Sequence, residues 1–204
     1  MRRVSHRIPG SLASRAVCSA LWFLIVVSDG AAASDRTPPQ TLVEDGACPF
    51  ECCAYREWST LAETTLLADP DDAAAVVAVV LPGTRVAGLT GKLIVTRPGR
   101  IEVLHDYRSL DSGHDYRKGD IVRVYAERGE GFFQVWHDGE LFDEEATFMY
   151  QGHGGWDRCV TDGTCWGKRM AFPESTWWVK VKTPDGRVGW SRKPENFGDK
   201  DACG

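Results

Sequence analysis

Ser175 to Trp190, STWWVKVKTPDGRVGW, reads as two short strands joined by a reversal. Val179 and Val181 alternate with Lys180 and Lys182, the period-two pattern that sets apolar side chains on one sheet face and ammonium groups on the other. Pro184-Asp185-Gly186 supplies the turn, because proline presets φ, aspartate bonds its own backbone and glycine accepts a positive φ. Trp190 is assigned to the core and Trp178, by alternation, to the lysine face.

The same pattern recurs upstream. Gly129 to Gly139, GEGFFQVWHDG, predicts a second hairpin closing on Asp138-Gly139. Phe133 and Val135 then share the core face, leaving Phe132, Gln134 and Trp136 on the other. Ala73 to Leu81 is rich in β-branched residues and ends at Pro82-Gly83, so it reads as a strand. Short strand patterns follow at 84–86, 93–95 and 101–103, punctuated by Gly88, Gly91 and Pro98-Gly99. Lys118 to Val122 echoes Pro82 to Val86, an internal repeat of about 36 residues. These features predict an all-β chain built as a small antiparallel barrel or sandwich.

The amino end has a different character. Four arginines, the apolar run Ala20 to Val27 and Ala31-Ala32-Ala33 form the basic, apolar and small-residue regions of a secretory signal, residues 1–33. Eight apolar residues fall short of the roughly 20 needed to cross a bilayer, and no second run follows, so no membrane span is expected in the mature form. Without these residues the chain carries 20 basic and 28 acidic side chains, a net charge of −8. Such a surface repels phosphate backbones, which argues against a nucleic-acid partner. Residues 34–47 are polar and proline-bearing and read as a flexible leader.

Six cysteines remain: Cys48, Cys52, Cys53, Cys159, Cys165 and Cys203. An even number in an exported chain predicts disulfides, and a periplasmic or secreted location. Cys159 and Cys165 flank an Asp-Gly reversal and are paired here. The adjacent Cys52 and Cys53 need different partners, because the peptide between them strains a direct bridge. Cys203 then takes one of the three N-terminal cysteines. A zinc knuckle in CPFECC is disfavoured by the oxidising compartment and by the lack of a Cys-x-x-Cys pair.

Three His-Asp dipeptides, at 105–106, 114–115 and 137–138, suggest metal ligands but fall in turns and hairpin ends, where no helix holds them on one face. No Gly-x-Ser-x-Gly, P-loop or dinucleotide fingerprint is present. No catalytic residue, metal or cofactor is therefore expected. Aromatic side chains are the better lead: Trp178, Trp136, Phe132 and Lys180 would form an indole platform beside an ammonium group, able to stack a sugar ring or a peptide. The opposing reading has these tryptophans covering the outer sheet face or packing between barrels.

The order PGTRV, an aromatic strand FFQV or WWVKV, a turn and then GRVGW resembles the bacterial SH3-like (SH3b) domain, in which a Gly-Trp pair follows the last hairpin. From CPFECC to KDACG the chain is also similar to exported bacterial proteins that carry such domains. The resemblance implies two SH3-like barrels. The first, with the cysteine segment, covers 48–108, and the second covers 109–204 with a disulfide-stapled insertion at 141–174. It further implies a non-catalytic binding module for peptidoglycan, a peptide or an envelope protein. The alternative is a cell-envelope enzyme, or an enzyme accessory, using a cysteine or metal site.

Overall fold

The computed structural model describes residues 37–149, 159 and 163–203. The signal at 1–33 and the middle of the 141–174 segment lie outside them. The described chain is all-β and antiparallel. Its strands are β1 (Leu42–Asp45), β2 (Glu57–Ser59), β3 (Thr64–Leu67), β4 (Val76–Val80), β5 (Arg85–Arg97), β6 (Gly99–Val103), β7 (Tyr107–Arg108), β8 (Asp115–Tyr116), β9 (Ile121–Gly129), β10 (Phe132–His137), β11 (Glu140–Glu145), β12 (Gly167–Ala171), β13 (Glu174–Lys182) and β14 (Val188–Ser191). Short 3-10 turns occur at Thr147–Met149 and Pro194–Asn196. No helix among the described residues is long and apolar enough to cross a membrane.

Two main sheets are present. One runs β1-β5-β13-β14-β3-β4, with β2 also on β5; the other runs β11-β10-β9-β6-β12; β7 and β8 form a separate ribbon. Both expected hairpins form. Val179 and Val181 are fully buried on β13, and Gly186 takes a φ of 87° in the turn. Phe133 and Val135 are buried on β10, and the Asp138-Gly139 turn has positive φ at both residues. Pairing crosses the 108/109 boundary: β13 runs along β5 from Glu174↔Arg97 to Lys182↔Ala87. The closing hairpin thus completes the sheet that the first half began.

Two expectations need correction. The patterns at 84–86 and 93–95 are one continuous strand, β5, because Gly88 and Gly91 are sites of close approach rather than breaks. A Cβ on Gly88 would lie 2.7 Å from the buried Trp58 ring, and one on Gly91 would lie within 2.4 Å of the Tyr55 hydroxyl, the Ala47 carbonyl and the Trp177 indole nitrogen. The leader is also ordered from Leu42 onward. Leu42 packs inward and Glu44 pairs with Arg128, so the segment joins the edge of β5 as β1.

Three disulfides are present among the described residues: Cys159–Cys165, which the spacing predicts, and Cys48–Cys53 and Cys52–Cys203, which resolve the partners that the spacing leaves open. Around Cys52–Cys203 the chain ends also share backbone bonds, Ala54 N–H to Lys200 and Ala202 N–H to Cys52, both at 2.8 Å. One core lies under the first sheet around Trp58, Leu66, Val179 and Phe197, and another under the second around Ile101, Val122, Tyr116 and Trp166. A third joins the sheets, with Leu93 and Val95 of β5 against Tyr125 and Ala126 of β9. Gly91→Ala forces a methyl group into the Tyr55–Ala47–Trp177 contact beside this third core. It should cost about 2–3 kcal/mol, as overpacking does, and urea unfolding with unchanged slope would measure it.

Candidate binding site

A cleft of about 470 Å³ opens where the sheets meet, lined among others by Pro49, Tyr125, Phe133, Phe172, Pro173 and Trp177. Each wall has a sequence reason. Tyr125 lies in the run Val122, Val124, Tyr125, Ala126, buried on both sides of β9, and its hydroxyl donates to the Pro39 carbonyl at 2.7 Å. Trp177 continues the Val179/Val181 alternation one step back. Its indole N–H donates to the Ala47 carbonyl at 3.1 Å, and its ring meets Phe50 edge-on at 5.9 Å. Phe172 and Pro173 form the link by which the chain returns from β12 to β13. Tyr125 and Met149 are buried floor residues, whereas Phe172 and Pro173 are half-buried at the rim. Aromatic and proline walls around a few polar groups suit a flat or extended apolar ligand.

The expected platform is placed differently. Trp178 is on the lysine face, as alternation requires, but it is only 4% exposed and presents no open indole. It sits opposite Lys92 on β5 and two residues from Lys180, and long methylene stems at such positions take aromatic surface out of water. Trp190 is buried on that same face, directly across from Lys180, whose amine lies 5.3 Å from its ring centre. Lys180 is thus engaged within the sheet. Trp136 is half-buried against the core joining the sheets, and Phe132 is half-buried at the start of β10. None of these four lines the cleft. The useful signal was Trp177, on the valine face, together with Phe172-Pro173 just ahead of β13.

A second cluster was not legible. Glu144 is fully buried and accepts hydrogen bonds from the Ser109, Ser112 and Tyr116 hydroxyls, each at 2.7 Å, and from the Glu145 N–H. Burial, then the Glu144 carboxylate, hold the Tyr116 phenol far above its ordinary range. Beside it, His137 Nε2 lies 3.1 Å from Asp120, and His137 Nδ1 lies 2.8 Å from His114 Nε2. With Asp120 accepting from Nε2–H, Nδ1 of His137 is left as acceptor for the His114 N–H. This differs from a nucleophile triad, in which the hydroxyl donates to the imidazole. Here the serines donate to Glu144 and tie the 109–114 loop down.

Two of the three His-Asp dipeptides bring their histidines together, at His114 and His137, while their aspartates and that of the third turn elsewhere or carry no shared contact among the described residues. Asp106 accepts the Lys118 N–H, which with burial opposing and Arg117 assisting keeps its carboxyl below the ordinary range, while Asp115 pairs with Arg108. All six cysteines named above are in disulfides, so none of them offers a thiol; Asp201 stands near Cys52 and Cys203, which are bonded to each other.

Burial lowers the His137 pKa from its ordinary 6.5, with Asp120 opposing and His114 assisting. The unfolded chain therefore takes up this proton first as pH falls, so the contribution is complete above pH 6.5 and is lost toward the lower folded value. Melting temperature should fall as pH drops below about 6.5, and His137→Gln should flatten that slope. No family model, curated protein or solved structure matches this chain.

Proposed function

We propose that this chain is an exported, non-catalytic binding module whose aromatic cleft takes a peptide, free or carried on a cell-wall fragment. The observation that carries this reading is the cleft itself, with Tyr125, Phe172, Pro173 and Trp177 gathered from β9, β13 and the link before β13. Proline and aromatic walls favour an extended chain, whose side chains and planar amides stack on them. Three disulfides fit a periplasmic or secreted location, where thiols are oxidised. The two sheets do not close into barrels, and we read them as open relatives of the SH3-like fold; short antiparallel strands, tight glycine turns and the Gly189-Trp190 pair in the last hairpin support that reading.

Retention on insoluble peptidoglycan tests it. The parent should be retained, and Phe172→Ala, which trims the rim and spares the buried floor, should weaken retention about tenfold, the loss of one good aromatic contact. Failure of the parent to bind, or equal retention of parent and variant, would reject the cell-wall assignment to this cleft. Titration with a proline-rich peptide then reads the free-peptide version.

A further inference from the structure

We propose a second, separate site: the cleft walled by Arg97, Arg100 and Arg123 binds an oxyanion, a carboxylate or a phosphate, borne on a small ligand. It measures about 460 Å³ and is completed by Gln40, Pro98 and Ala171. The register of β6 and β9 sets Arg100 directly opposite Arg123. Opposed positions on adjacent strands lie about 5 Å apart at Cβ, and like charges there destabilise the sheet. Arg97 adds a third guanidinium from the end of β5, but its charge is met by Glu174.

Among the described residues no such partner exists for the other two. The side chains of Arg100, which is exposed, and Arg123, which is half-buried, make no hydrogen bond or ion pair with another described residue. The contrast with the rest of the chain is sharp: Arg85, Arg108, Arg117, Arg128, Arg187 and Arg192 each reach a carboxylate. In a protein with 29 acidic and 24 basic residues, two facing arginines without an acid form a pocket of charge that a counter-ion would complete.

The chemistry of the ligand follows from the donors. Two guanidinium forks match the paired oxygens of a carboxylate or phosphate, and the Gln40 amide adds a neutral donor. Gln40 is held at the rim because the Tyr125 hydroxyl bonds its neighbour Pro39. Pro98 and Ala171 give the cleft apolar walls and more room than a bare oxyanion fills, so the anion is one end of a larger molecule. The net negative charge of the protein selects a small ligand over a long polyanion.

Purified protein in low-salt buffer is titrated separately with inorganic phosphate and with succinate, reading the arginine Nε–H signals by NMR and the melting temperature. Saturable shifts at Arg100 and Arg123, at least tenfold weaker in Arg100→Gln and Arg123→Gln and unchanged in Arg187→Gln, are expected. Without added anion, Arg123→Gln should melt higher than the parent, because the like-charge pair is gone. Saturation by phosphate alone identifies a phosphate group, by succinate alone a carboxylate, and by both the shared oxyanion. The proposal is overturned if neither anion saturates the parent, or if both variants bind as the parent does. Phe172 takes no part here, so failure leaves the peptidoglycan test untouched.

Discussion

Serine at both Cys52 and Cys203 is expected to lower stability by about 5 kcal/mol, the chain-entropy value for a very long loop, which for a chain of this size is roughly 10–20 °C in melting temperature. The bridge spans 151 residues of sequence. Its removal restores to the unfolded chain the freedom that this closure had denied it. The folded ends stay joined by their backbone bonds and by Arg56, which donates to the Asp199 carbonyl at 2.9 Å and also reaches the Asp201 carbonyl. Near-ultraviolet circular dichroism should therefore remain native below the transition. Serine at Cys48 and Cys53, which close a loop of only 5 positions, should cost about 2 kcal/mol in the same model. Differential scanning calorimetry of both double variants gives the ordering; equal losses would mean that the long bridge acts through native contacts and not through the unfolded chain.

The second large effect is expected at Glu144. Alanine there removes the acceptor for three hydroxyls and leaves two of them, on the buried Ser109 and Tyr116, without it in the interior, while the exposed Ser112 can turn to water. The cost should be about 3–5 kcal/mol, since each orphaned buried donor forfeits its desolvation. Glutamine keeps the volume and one acceptor oxygen but turns an amide donor toward a hydroxyl, so it should lose roughly half as much. The loop shows a local sign as well: the Ser109 N–H, now bonded to the His114 carbonyl at 2.9 Å, should exchange faster in the alanine variant than strand amides such as Val179. A uniform rise in exchange would place the damage in the whole core instead.

Strand identity was legible wherever one face of a strand was apolar and the turn chemistry was strong. Val179 and Val181, Phe133 and Val135, and the Asp138-Gly139 turn all fall where alternation and φ preference put them. The echo between Pro82-Gly83 and Lys118-Gly119 also has a counterpart, since both glycines take positive φ just before β5 and β9. Legibility ended where two faces are covered at once. Alternation correctly separates Trp178 from Val179 but says nothing of what lies over the second face, and there Trp178 and Trp190 are buried. Gly88 and Gly91 were misread because a glycine that makes room for Trp58 or Trp177 has the same letter as one that turns the chain. The Glu144 cluster was invisible for a related reason: its partners come from 109, 112 and 116, and only the fold brings them to β11.

The Arg97↔Glu174 rung, where β5 ends and β13 begins, has a topological consequence. The chain leaves one sheet at that rung, builds β6 to β12, and rejoins the first sheet at the very same step of the ladder. In architectural terms the second sheet is a guest inserted into a host whose own strands close up on either side of it. Excision of 98–173 would leave the host's cut ends as neighbours, but it would also take Tyr125 and Ala126 away from Leu93 and Val95, so host and guest share one core although their ladders are separate. The guest carries the histidine pair, the buried glutamate and two of the three arginines, so these features travel together on one inserted segment, while the host holds the closing hairpin and the bridge between the chain ends.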